Sequence, residues 1–426
     1  MNAPSKDSRD WRTILSLGVS GLGIIYFLVQ TLSIGFLWVT DGSQALLGMD
    51  QPLSYGLLIW SSILSGAMLI PIFLLSLYQF QGQDIPGWLD TSRPLYRKIA
   101  MWAIASWPLV VLIGWLVAGN PNLAPFLLGL INVLVAGLPI LWIYTLASKG
   151  IERGHQVRQW QIFGFSLTIT PFIVIIVELI AIAVLGGLGF VWVSYRIAAD
   201  PTLERDLLFL YNQVALRGRD VDALLEFVQP YLLQPPVIAW ALVLFAGVVP
   251  VVEEVFKSLA LWPLAGRRLS PQEGFAAGLL CGAGFAFMEN VLYFTAAITA
   301  WDWLFIALGR AGTGVLHMLA SGLVGWGLAS AWRDGKWFTL GLNSLIAFLL
   351  HGLWNAIALV TGFASLVMLE AQPTIGQDLL YSAPTVVLFV LSVISILLIN
   401  RHFRMKNGSI SAGTEENLQN DVGSIS

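Results

Sequence analysis

The feature that most constrains this sequence is a series of ten apolar stretches, each long enough to cross a lipid bilayer. A membrane-spanning helix needs about 20 mostly apolar residues. The chain of 426 residues is 57% hydrophobic and 11% charged, whereas soluble domains are about a quarter charged. The sequence therefore predicts an all-α fold, a polytopic transmembrane helix bundle of about ten spans. The predicted spans are residues 13–40, 53–80, 98–119, 122–148, 160–195, 235–265, 274–298, 303–332, 337–363 and 382–401.

The lysines and arginines predict the orientation of these spans. Most of the 22 fall in alternate connecting segments, beginning with the segment before the first span. Cytoplasmic loops of membrane proteins carry an excess of these residues. The exceptions lie in one long loop, where the rule is weak, and within spans, at Lys257 and Arg310. With ten spans, we expect both termini to be cytoplasmic.

The long polar loop divides the chain into two blocks of five spans. Helical patterns at 207–211 and 223–228 predict two short amphipathic helices in this loop. They would lie on the outer surface, either as a connector on the lipid headgroups or as a cap over a site below. The predicted segments are an N-terminal membrane block of unknown role at 1–195, the extracytoplasmic loop at 196–234, a functional membrane domain at 235–401 and a disordered cytoplasmic tail at 402–426.

Ionisable residues inside the predicted spans are concentrated in the second block. A charged side chain at a helix centre costs about 2.5–3.5 kcal/mol on insertion scales. The first block has one acid at depth, Glu178. Groups this costly are expected to pair with one another or to line a hydrated cavity, so we expect the second block to carry the function. Its ionisable residues at depth are Glu253, Glu254, Lys257, Glu289, Arg310, His317 and His351.

The sixth span carries two adjacent glutamates, Glu253 and Glu254. They project about 100° apart, so one can face a cavity while the other turns to a neighbouring helix. Lys257 lies four and three residues further on, within reach of either carboxylate. Pro250 removes a backbone donor one turn earlier, and we expect the helix to open there. The alternative is a structural ion pair that holds two helices together.

The next three spans contribute further polar groups. Glu289 and Asn290 lie near the end of the seventh span, and Arg310 and His317, seven residues apart, share a face of the eighth. In the ninth span His351 precedes Asn355 by one turn. Small residues at four-residue spacing on the seventh span predict close packing against another helix. That stripe consists of Gly274, Gly278, Gly282 and Ala286, with Asn290 as its continuation.

These residue types suit hydrolysis of an amide within the membrane. A carboxylate can accept a proton from water as general base, and histidine and asparagine N–H groups can bind an oxyanion. Alternatively, two histidines and a glutamate supply the three protein ligands of a catalytic zinc site. The HExxH zinc motif is absent, so the residues leave both versions open. A proton- or ion-coupled transporter, or a noncatalytic sensor or scaffold, would use the same charges differently.

Four motifs in order resemble the PrsW family of intramembrane proteases. They are Glu253-Glu254-x-x-Lys257, Phe285-x-x-x-Glu289-Asn290, His317 in the next span, and His351-x-x-Trp354-Asn355. The paired glutamates and the His-x-x-x-Asn element are also distantly similar to the CAAX-prenyl protease and bacteriocin-processing family. The resemblance covers about 235–363 and leaves the first five spans without a function.

The resemblance implies a peptidase that cuts membrane-anchored proteins, in some family members an anti-sigma factor in a signalling cascade. Its partners would be such a substrate and the lipid bilayer of a prokaryotic inner membrane, with no nucleic acid. Carried over by motif position, Glu253 is the base, and His351 with Asn355 forms the oxyanion pair. Glu289 stands where the distant family has histidine, a role that His317 would supply. A zinc version would use Glu254, His317 and His351, and the other catalytic and supporting residues expected in one shared cavity are Glu253, Glu289, Asn355, Lys257, Asn290 and Arg310.

Overall fold

The computed structural model describes residues 11–40, 51–86, 94–217, 221–297, 299–367 and 375–423, and these residues form an all-α protein. Ten of the described helical segments are long and apolar enough to span a membrane, which confirms the predicted number. Their ends agree with the predicted ends to within several residues. The segments are Trp11–Thr40, Tyr55–Phe80, Arg97–Ala118, Ala124–Ala147, Gln156–Ala199, Pro235–Leu264, Pro271–Ala296, Ala300–Asp334, Trp337–Val367 and Ser382–Lys406.

The helices of the N-terminal part are α1 to α6, followed by two short helices, α7 and α8, in the predicted loop. Their bounds are Trp11–Thr40, Gln51–Phe80, Pro94–Ala103, Trp107–Ala118, Ala124–Ala147, Gln156–Ala199, Pro201–Arg217 and Val221–Leu232. A 3₁₀ turn joins α3 to α4 in the third span. At the start of α7 the Asp200 carboxylate accepts hydrogen bonds from the Thr202 hydroxyl and backbone N–H. These bonds hold the pKa of Asp200 below its usual value.

The sixth span is the least regular helix of the protein. It begins as α9 (Pro235–Ala241), widens into a π-helical turn at Leu242–Val248, and continues as α10 (Val249–Lys257). A 3₁₀ segment, Ser258–Leu264, then ends it. π-Turns inside helices are rare and are frequent at functional sites.

The remaining helices are α11 (Pro271–Tyr293), α12 (Ala300–Asp334), α13 (Trp337–Val367) and α14 (Ile375–Gly423). Capping boxes start two of them, formed by Ser270 with Glu273 and by Thr299 with Asp302. Gly335 ends α12 with a φ of +67°, in the left-handed region that favours glycine. The described backbone of α14 continues as helix to Gly423, and the disorder expected for residues 402–426 stays a prediction.

The chain forms two compact units, each of which takes helices from both sequence blocks. The larger unit comprises residues 1–171, 257–347 and 389–426, and the smaller comprises 172–256 and 348–388, in each case as far as these residues are described. The boundary between the two units therefore falls within α6 and within α13. The functions assigned to segments 1–195, 196–234 and 235–401 stay predictions.

In the larger unit, α11 packs directly on α12 through the predicted stripe of small residues. Three glycines of α11 face backbone carbonyls of α12, and the pairs are Gly274 with Gly325, Gly278 with Ser321, and Gly282 with His317. A Cβ at any of these glycines would overlap the facing oxygen. The two antiparallel helices can therefore approach as closely as their backbones allow, and this contact sets the register of the polar residues at the end of α11.

Trp303 of α12 is anchored in the same unit. Its side chain is completely buried, its indole N–H donates to Asn132 Oδ1 of α5 at 2.7 Å, and its ring stacks on Phe294. The buried indole thus has the hydrogen-bond partner that it needs in an apolar environment.

In the smaller unit, the two loop helices contact each other, and α8 also contacts α13. Phe209 of α7 lies edge to face with Phe227 of α8. Gln229 of α8 donates to the carbonyl of Leu366, near the end of α13, at 2.6 Å. The loop therefore has the two predicted helices, and α8 is fixed to the helix that carries His351. The location of this loop outside the membrane stays a prediction.

Candidate active site

Helix α10 carries the two adjacent glutamates, and both are buried. Glu254 is completely buried, and Glu253 is 6% exposed. Two carboxylates are buried this deeply only if other groups replace their hydration. The sequence predicted that one of the pair would face a cavity while the other turned to a neighbouring helix, and that difference in direction stays a prediction.

His351 of α13 lies between the two carboxylates. Its Nδ1 is 2.9 Å from Glu254 Oε1, which is a hydrogen bond, and its Nε2 is 3.8 Å from Glu253 Oε2. The imidazole is 1% exposed. An ionised carboxylate only accepts hydrogen bonds, so a proton on Nδ1 donates to Glu254. In that tautomer Nε2 carries a lone pair on the side of Glu253.

One turn further along α13, Asn355 contacts the irregular part of the sixth span. Its amide Nδ2 donates to the carbonyl of Phe245 at 2.9 Å. Phe245 lies in the π-turn just before Pro250, where the sequence predicted that the helix would open. That prediction is confirmed. The assignment of Asn355 as an oxyanion donor stays a prediction.

A second cluster lies in the larger unit and is organised around Glu289 of α11. Glu289 Oε2 is 2.6 Å from Arg310 Nη2 and 2.8 Å from His317 Nε2. Arg310 and His317 were predicted to share a face of α12, and both contact this single carboxylate oxygen. Arg310 Nε also donates to Asn290 Oδ1 at 2.7 Å, and Asn290 Nδ2 donates back to the Arg310 carbonyl at 3.2 Å.

Lys257 completes this second cluster. Its Nζ is 2.7 Å from Nδ1 of His317 and 4.2 Å from the ring centre of Phe285, a cation–π contact. Lys257 and His317 are both almost completely buried. An ammonium group only donates, so Nδ1 of His317 accepts from Lys257, while Nε2 lies 2.8 Å from Glu289 Oε2. Both ring nitrogens of His317 are therefore engaged within the larger unit.

The structure thus gathers the predicted site residues into two sets. The trio of the smaller unit is Glu253, Glu254 and His351, and the network of the larger unit is Lys257, Glu289, Asn290, Arg310 and His317. The shared cavity expected for all of them stays a prediction.

Three contacts of the candidate site residues were not predicted from the sequence. Arg310 lies over the ring of Tyr293 at 4.3 Å. Lys257 lies over Phe285, which belongs to a motif that the sequence analysis used without giving this residue a role. The acceptor of Asn355 is a backbone carbonyl, and the only signal for it in the sequence is the proline five residues later.

The trio has the donor chemistry of a zinc site. One ligand atom from each of Glu253, Glu254 and His351 lies within 4.8 Å of the others. Zinc accepts carboxylate oxygen and imidazole nitrogen at about 2.0 Å, so two of its ligands lie about 3.3 Å apart. The 3.8 Å between His351 Nε2 and Glu253 Oε2 is close to that separation. A carboxylate on the other ring nitrogen, as Glu254 provides, is the usual partner of a metal-binding histidine.

The fold and these sets define a class, namely polytopic helical membrane proteins with carboxylate–histidine clusters buried in their spans. Within that class, residues 210–394 match the family model PrsW-protease, the PrsW family intramembrane metalloprotease. The matched residues make up less than half of the chain, and they contain every candidate site residue. The match supports an intramembrane protease that acts on a substrate in the membrane. No curated protein and no solved structure matches the chain.

Proposed function

We propose that this protein is a zinc-dependent intramembrane endopeptidase that hydrolyses peptide bonds of membrane-anchored proteins at the trio Glu253, Glu254 and His351. The observation that carries this proposal is the hydrogen bond between Glu254 and Nδ1 of His351. For a neutral imidazole beside an ionised carboxylate, this bond selects the tautomer in which Nε2 accepts rather than donates. An imidazole in this state is a metal ligand and a poor donor to an oxyanion, so the geometry favours the zinc version of the chemistry.

Each residue of the trio has a separate role in this proposal. His351, through Nε2, and Glu253 would supply two of the three protein ligands that a catalytic zinc site uses. Glu254 holds the ring of His351 in place and raises its basicity, as carboxylates behind metal-binding histidines do. Bound there, zinc supplies a Lewis acid that polarises the scissile carbonyl. Because Glu253 and Glu254 are buried, the site has a low dielectric constant, which strengthens each of these interactions.

The network around Glu289 has a different role in this proposal. His317 is a bridge between Lys257 and Glu289 and not a zinc ligand, because both of its ring nitrogens are engaged. The network links Lys257 through His317 to Glu289 and Arg310, and it is expected to hold α11 and α12 in register.

The proposal is tested with purified protein in proteoliposomes that contain a membrane-anchored peptide. Bound zinc is measured by elemental analysis, and cleavage by mass spectrometry. The wild type should bind zinc and cleave the peptide. Glu253→Gln and His351→Ala should lose both, and Glu254→Gln should bind zinc about 10- to 100-fold more weakly. Glu204→Gln, at an exposed position of α7, is the matched control and should behave as wild type.

Three results would contradict parts of this assignment. Full cleavage by zinc-free protein would refute the zinc requirement, and ion flux without cleavage would refute the protease. Loss of zinc from His317→Ala with the fold intact would place His317 among the ligands. Retention of zinc by inactive Glu253→Gln would make Glu253 the general base instead of a ligand.

The finer biological setting belongs to the same proposal. We place the protein in a prokaryotic inner membrane with both termini in the cytoplasm, as the distribution of lysine and arginine supports. A regulatory substrate, such as an anti-sigma factor, is the role that the family resemblance implies. Protease protection of tags at each terminus in spheroplasts tests the orientation. Digestion of either tag from the periplasmic side would contradict it.

A further inference from the structure

The π-turn in the sixth span has an identifiable cause. In an α-helix the N–H of Val249 would bond the carbonyl of Phe245, four residues earlier. Here that N–H bonds Leu244, five residues earlier. The next residue, Pro250, has no N–H, and its ring excludes the carbonyl four residues before it, which is that of Ala246. Neither of these two residues therefore donates to Phe245 or to Ala246 as a regular helix would require.

The two carbonyls that the proline releases both face α13. Phe245 accepts the amide N–H of Asn355 at 2.9 Å. Ala246 faces Gly352, and a Cβ at that glycine would lie 2.5 Å from the Ala246 oxygen. Gly352 and Asn355 are three residues apart and share a face of α13. Helix α13 therefore docks on the π-turn by a close backbone approach and one amide hydrogen bond.

This contact between α13 and the π-turn is adjacent in sequence to Glu254 and His351 of the proposed trio. His351 directly precedes Gly352, and Glu254 follows Pro250 by four residues, or one turn of α10. Any slip of α13 along the sixth span would change the 2.9 Å distance between Glu254 and His351. A misplacement of about 1 Å at a catalytic group can cost about 100-fold in rate.

We infer that Pro250 is a positioning residue for His351, acting through the released carbonyl of Phe245 and the amide of Asn355. The inference rests on the proposed function, because it concerns the geometry of the proposed trio. Pro250 has no reactive group, and in this inference it helps to determine the position of His351. It also gives Asn355 a partner that fixes the orientation of its amide.

The test compares Pro250→Ala, Asn355→Ala and the double variant with wild type in the cleavage assay. Alanine at 250 restores an N–H that competes for the released carbonyls. We expect kcat to fall about 10- to 100-fold in each single variant, with KM changed less than about twofold. In the double variant the second substitution should add less than about threefold, because both act through one contact. Pro139→Ala, at an intrahelical proline of α5, is the matched control and should leave kcat unchanged.

A backbone substitution separates the missing N–H from other effects of proline. An α-hydroxy acid at position 250, introduced by nonsense suppression, also has no N–H there and should retain the wild-type kcat. Wild-type kcat in Pro250→Ala, losses that multiply in the double variant, or loss with the α-hydroxy acid would each overturn the inference.

Hydrogen exchange of peptides covering 242–256 provides a readout that does not depend on cleavage. Pro250→Ala should slow exchange there as regular helical bonds form, and Asn355→Ala should not. If the wild type cleaves no peptide, the proposed function fails while this exchange experiment still decides the inference. Unchanged exchange in Pro250→Ala would overturn it.

Discussion

Replacing Arg310 with methionine should strongly destabilise the larger unit, because it removes the guanidinium from a buried carboxylate. Arg310 and Glu289 side chains are 13% and 20% exposed, and the closest N–O distance between them is 2.6 Å. Breaking a buried ion pair by removing one partner costs about 3–5 kcal/mol. Since water reaches part of both side chains, we expect the low end of that range, about 3 kcal/mol.

The assay is unfolding of the purified protein in mixed micelles by titration with sodium dodecyl sulfate, followed by tryptophan fluorescence. Arg310→Met should lower the free energy of unfolding by about 3 kcal/mol. Arg205→Met is the matched control, because Arg205 is 80% exposed and 3.6 Å from Asp206, a pair that should contribute less than about 1 kcal/mol.

A second variant separates loss of a charge partner from loss of packing. Glu289→Leu combined with Arg310→Met removes both charges, and such replacements are often neutral or stabilising. The double variant should therefore recover at least about half of the loss. If Arg310→Met costs less than about 1 kcal/mol, or if the double variant is less stable than the single one, the reasoning about this buried pair is refuted.

Two further substitutions test the packing that supports the site. Gly278→Leu should destabilise the protein by about 3 kcal/mol, because the new side chain would overlap the backbone of Ser321. Gly341→Leu is the control and should be tolerated, because there is open space around Gly341. Equal thermal stability of the two variants in detergent would contradict this prediction. Trp303→Phe should lower the free energy of unfolding by about 1–3 kcal/mol, because it leaves the buried Asn132 oxygen without its indole donor. The unfolding assay described for Arg310→Met measures this loss, and a smaller loss would show that another donor replaces the indole.

The spans and their packing surface were predictable because they depend on local composition and spacing. The fourth span was predicted at 122–148 and is Ala124–Ala147. Hydrophobic length alone determines such a segment. The small residues of α11 were likewise predicted to lie against another helix, and the carbonyl of Ser321 faces Gly278 directly. For the same reason Asn290 reaches its partner on α12.

The partners of the charged residues were less predictable, because they depend on which helices meet. The spacing of Lys257 puts it within reach of either glutamate of its own helix, and such spacing gives no information on a partner from another helix. The structure places its ammonium 2.7 Å from His317, 60 residues away.

The two histidines show why a residue's chemical role is harder to predict than its participation in a site. Both were predicted as site residues, and both lie within 3 Å of an acidic or basic partner. A carboxylate on Nδ1 of His351 makes the other nitrogen an acceptor, which suits a metal. An ammonium on Nδ1 of His317 and a carboxylate on its Nε2 use both nitrogens, which suits a bridge. The difference arises from the charge of the group next to Nδ1, which in both cases lies on α10 and not on the histidine's own helix. The sequence therefore supports both histidines equally as ligands, whereas hydrogen-bond geometry separates a proposed zinc ligand from a bridge.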